Sequence, residues 1–130
     1  MVESKAGGRE YFIKLVSEAI DELPSNVLEK MSNVAVVVED EPSPEQRKTL
    51  KIRKGETVFG LYEGIPQTER GSMYQGLPDK ITIFRRPIEE VAGTENGIKR
   101  MVRTTVWHEV AHHFGMEEDE VREEERRRGF

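Results

Sequence analysis

Residues 97–114, GIKRMVRTTVWHEVAHHF, carry the pattern that most restricts the fold of this chain. Wound at 3.6 residues per turn, Ile98, Val102, Val106 and Val110 fall on one apolar stripe, which predicts a long amphipathic helix. Gly115 follows at once and can take the left-handed conformation that ends a helix and turns the chain back. Such a stripe has to be buried against another layer, so the rest of the chain must supply one.

Three stretches read as strands of that layer. NVAVVVED (residues 33–40) is a β-branched run of the kind found in buried strands. TVFGLYEG (57–64) is a second strand in which Gly60 either weakens the element or marks a close approach. KITIFRR (80–86) is a third, stopped by Pro87. Before them, residues 9–22 place Phe12, Leu15, Val16, Ala19 and Ile20 at helical spacing, ended by Leu23 and Pro24, and Ser25 is expected to cap a short following helix. EPSPEQ, with two prolines, reads as a connection, and TLKIRKGE is too polar to assign. Residues 65–79 form a long Gly- and Pro-rich loop, 87–92 one helical turn, and GTENG a break before the long helix. EEDEVREEERRR closes the chain as a charged segment, with residues 122–130 as a tail.

The expected fold class is therefore α+β, a small mixed sheet packed on helices. With 130 residues, one domain with a single core covers residues 1–130. The net charge of −5 gives no reason to expect nucleic acid. The absence of cysteine excludes disulfides, thiolate metal sites and a cysteine nucleophile. No apolar run approaches the roughly 18 residues of a membrane span, and the N-terminal residues lack a secretory pattern. A cytoplasmic protein with no membrane partner is the expectation, and its oligomeric state is not set by these features.

All three histidines, His108, His112 and His113, lie on the long helix. Met101, Thr105, His108 and His112 form the flank beside the apolar stripe, and Glu109 falls between the two rows. Imidazoles four residues apart project from one side of a helix and can share one cation at roughly 2.0–2.1 Å. HEVAH thus satisfies HExxH in the helical setting that motif requires. A chance match in so short a chain is rare, on the order of a percent from residue frequencies. The plainer alternative, two surface histidines favoured by the helix dipole, is the weaker account of so specific a pattern. A catalytic zinc takes three protein ligands and leaves a position open. If Gly115 reverses the chain, Glu118 can face the metal, with Asp119 beside it as an alternative. His113, rotated by about 100° from His112, points elsewhere and reads as a packing or supporting residue.

The chain resembles the bacterial minimal zincin-like metallopeptidases, through NVAVVVEDEP, GLYEGIPQTERG, LPDKITIFRRPIE and TTVWHEVAHHFGMEEDEV together. The resemblance implies an abbreviated zincin fold, one Zn2+ held by His108 and His112, and Glu109 as the catalytic carboxylate. The family's third-ligand position, usually aspartate, falls on Glu118.

The implied chemistry is metal-assisted hydrolysis of a peptide or protein substrate, with Glu109 as general base. Two His and one carboxylate also suit iron. A peptide can add along a sheet edge supplied by KITIFRR or TVFGLYEG. Tyr62, Arg70 and Tyr74 are candidates to touch substrate, but a surface or packing role is the more ordinary reading. Two other readings compete. One is a catalytically silent metal-binding or interaction module on the same scaffold. The other is a nucleic-acid binder using the arginines at 126–128, disfavoured because Glu123 and Glu124 stand at i, i+4 spacing from Arg127 and Arg128.

Overall fold

In the computed structural model the described residues are 8–31, 33–50, 58–64, 79–116 and 118–128, excepting the side chains of Thr49, Glu118, Val121 and Arg128. The elements in order are α1 (Gly8–Asp21), α2 (Ser25–Leu28) running into a 3-10 turn (Glu29–Met31), β1 (Val34–Glu39), α3 (Pro44–Thr49), β2 (Gly60–Glu63), β3 (Asp79–Phe84), α4 (Arg85–Ala92), α5 (Glu95–His113) and α6 (Glu118–Arg128). This is an α+β fold with a small mixed sheet, as the hydrophobic periodicities require.

The strand order is β1-β3-β2, with β1 and β3 parallel and β2 antiparallel to β3. β3 is thus flanked on both sides, and Ile81, Thr82, Ile83 and Phe84 are all fully buried. Each such Ile or Phe contributes about 1.5–3 kcal/mol by leaving water. Register places Val36, Ile81 and Tyr62 side by side. Because β3 is central, of the two strands considered for peptide addition only β2 lies at an edge among the described residues.

α5 lies across the sheet and packs on β2, β3, α1 and α4. Val102, Val106 and Val110 are buried, and so are Trp107 and Ala111 on other faces of the helix. Phe12, Leu15, Val16 and Ala19 of α1 complete this core, as their spacing indicates. Thr94 starts α5 by accepting the Gly97 N–H at 3.0 Å, so the helix begins at Glu95, two residues before Gly97.

Local chemistry explains where elements differ from the sequence expectations. Ser25 does not cap α2. Pro24 stands at that position in an extended conformation, and its carbonyl receives the N–H groups of Val27 and Leu28. EPSPEQ is not a plain connection but the start of α3. Ser43 accepts from the Gln46 N–H at 3.0 Å while the Gln46 side chain accepts from the Ser43 N–H at 2.8 Å, a capping box with Pro44 in the first turn. Pro87 does not stop β3. It lies in the first turn of α4, where a missing N–H costs nothing, and the strand passes into that helix at Phe84. Residues 65–78, the expected long loop, and 51–57 lie outside the described residues.

Arg85 fastens this strand-to-helix junction to β1, bonding Asp40 at 3.0 Å and Glu89 at 3.1 Å. The Arg85 hydrogen bond holds the Asp40 carboxyl below its ordinary range, against the opposing pull of desolvation. Arg9 of α1 adds a hydrogen bond to the Val38 carbonyl at 2.6 Å.

Candidate active site

His108 and His112 lie one turn apart on α5, with ring centroids 4.9 Å apart and planes at 73°. That separation is compatible with both rings serving one cation. Both are half-buried, so neither is sealed in the core. His108 also faces α6, where its Nδ1 lies 3.5 Å from Oε2 of Glu125.

Glu109 turns toward the sheet and is 7% exposed. It lies on the wall of a cleft of about 310 Å³ lined also by Phe59, Gly60, Thr104, Thr105 and His108. The backbone of β2 passes very close to it. A Cβ placed on Gly60 would sit 2.8 Å from Cγ2 of Thr105 and 3.0 Å from Cγ of Glu109. Gly60 is therefore a close-approach glycine, one of the two roles its place in the strand allowed. Gly60→Ala is expected to cost about 1–3 kcal/mol of stability through overpacking. The added methyl group is also expected to displace the Glu109 side chain, whose Cγ and Oε2 lie 3.0 and 3.3 Å from it. Urea melts and a structure of the variant check both.

His113 faces the other way, as its rotation implies. It is 1% exposed, and its Nδ1 donates to Oδ2 of Asp79, at the start of β3, at 2.6 Å. The Tyr62 hydroxyl donates to the same oxygen at 2.8 Å. The Tyr62 and His113 rings meet edge-on with centroids 6.0 Å apart. Tyr62 thus has a packing role between β2 and β3. Arg70 and Tyr74 lie outside the described residues.

Gly115, with φ +77°, takes the left-handed conformation and reverses the chain into α6. Glu118 is the first residue of α6, and its side chain lies outside the described residues. Asp119, next to it, is exposed. Among the described residues no three His, Asp or Glu side chains converge on one point. The donor set on α5, two accessible imidazoles with a carboxylate on the adjoining cleft wall, fits zinc nonetheless. Sequence reasoning did not single out Glu125 or Asp79, whose partners are 17 and 34 residues away along the chain.

A family model described as "Zincin-like metallopeptidase" matches residues 31–128. The chain belongs to the zincin-like metallopeptidase family. The match spans β1 to α6 and includes every residue of the cleft just described. Among solved structures, this family member is similar to a conserved hypothetical protein from Thermus thermophilus, at 27% identity with a TM-score of 0.56. The alignment covers 82% of this chain and 92% of that one. Among curated proteins nothing matches.

Proposed function

We propose that this zincin-like chain is a zinc-dependent hydrolase of peptide bonds, with His108, His112 and Glu118 as metal ligands and Glu109 as general base. The observation that carries the reading is that Glu109 and His108 line one cleft, with the carboxylate held against the backbone of β2. Bound zinc supplies Lewis-acid polarisation of a carbonyl and lowers the pKa of water to about 7. Glu109 takes the proton of the attacking water and returns it to the leaving amine.

Gly60 of β2 lines this cleft together with Glu109, so an extended peptide adding along β2 would present its backbone beside Glu109. A chain of 130 residues leaves little room for deep specificity pockets, which favours short or unfolded segments over folded protein. Among the described residues no helix is long and apolar enough to cross a membrane, and nothing in the reading needs one. The trailing arginines do not favour a nucleic-acid role, since Arg127 is paired with Glu124 on its own helix.

Elemental analysis of protein purified without chelator is expected to find one zinc per chain. A peptide-library digest is expected to show cleavage that a chelator abolishes and added Zn2+ restores. Bound zinc with no cleavage in either arm would mean a catalytically silent metal-binding module instead.

A further inference from the structure

α6 is built almost wholly from charged residues, and Glu123, Arg126 and Arg127 are exposed, as a solvated helix requires. Glu125 departs from that pattern. Its side chain is 19% exposed and turned toward α5, where Oε2 lies 3.5 Å from Nδ1 of His108, whose own side chain is 31% exposed. Its neighbour Glu124 is engaged with Arg127 on the same helix, so the two acids of this turn have different partners. The reversal at Gly115 folds α6 back so that it packs against α5, which brings a residue 17 positions away onto the ligand helix.

An imidazole has two nitrogens, and the partner of one determines what the other can do. With a carboxylate at Nδ1, that nitrogen keeps its proton and donates it. In the neutral ring that tautomer leaves the lone pair on Nε2, where a cation can use it. We propose that Glu125 is the positioning carboxylate of His108, accepting the Nδ1 hydrogen so that the ring presents Nε2 to the metal. The negative charge also makes the imidazole a stronger donor, the usual effect of such a partner. This inference rests on the metal-site reading of His108 and His112. It assigns α6 a part in that site beyond the one residue, Glu118, expected from motif spacing.

The test uses the full chain with Glu125→Ala, Glu125→Gln and, as a control from the same turn, Glu124→Ala. Zn2+ affinity is read by competition with a chromophoric chelator, Co2+ geometry by visible absorption, and folding by circular dichroism. Glu125→Ala is expected to weaken Zn2+ binding about 10- to 100-fold while keeping the Co2+ spectrum of the parent. Glu125→Gln, whose amide oxygen still accepts the Nδ1 hydrogen, recovers most of the loss, and Glu124→Ala matches the parent. Unchanged affinity in Glu125→Ala overturns the proposal. So does a changed Co2+ spectrum in both Glu125 variants, which would make Glu125 a ligand. A parent chain that binds neither ion overturns the metal-site reading itself, a result distinct from either of these.

Discussion

Replacing Glu109 with glutamine is expected to leave zinc bound and to slow peptide hydrolysis by about 10²–10⁴-fold. Glutamine has nearly the same shape, so the packing of this side chain beside Gly60 and Thr105 survives. What it loses is basicity, since an amide cannot take a proton from water near neutral pH. A loss of this size corresponds to about 3–5 kcal/mol of barrier. Paired measurements of zinc content and kcat on the same preparation check it. If the variant turned over a peptide as fast as the parent, the general base would have to be sought elsewhere. If it lost zinc, Glu109 would be a ligand, contrary to the role assigned to it.

The second large effect concerns stability. His113→Leu is expected to destabilise the fold by about 3–5 kcal/mol, because it removes the imidazole from a carboxylate that is itself 2% exposed. Domains of this size are stable by only about 5–15 kcal/mol, so the variant is expected to unfold at markedly lower urea. Tyr62 still bonds Asp79 in that variant, which keeps the loss from exceeding this range. Replacing Asp79 and His113 together with leucine is expected to cost less than the sum of the two single changes, since no charge is then left buried alone. Urea melts of both single variants and the double variant measure the difference. Additive losses would mean that the two residues act independently despite their 2.6 Å contact.

The elements readable in the sequence are those whose signal is periodic. Val102, Val106 and Val110 mark α5, and Phe12, Leu15, Val16 and Ala19 mark α1, because burial imposes the helical repeat on composition. HExxH is readable for the same reason, as its spacing is a property of one helix. α3 carried a local signal in Ser43 and Gln46, masked by two prolines that suggest a break, although Pro44 is suited to a first turn. Asp79 and Glu125 carried none. Each looks like an ordinary surface acid until the chain brings it to a histidine, and no local pattern encodes a meeting between residues so far apart. Glu125 is further disguised by a neighbourhood of charges in which an inward-turned acid looks like the rest.

The sheet also sets an order of assembly. β1 and β3 pair side by side although the residues at their shared end, Asp40 and Arg85, are 45 positions apart. Closing so long a loop is entropically slow, whereas the turns of α5 form from neighbours in the chain. In refolding, the parallel pairing of β1 with β3 is accordingly expected to form more slowly than the turns of α5 that carry His108 and His112.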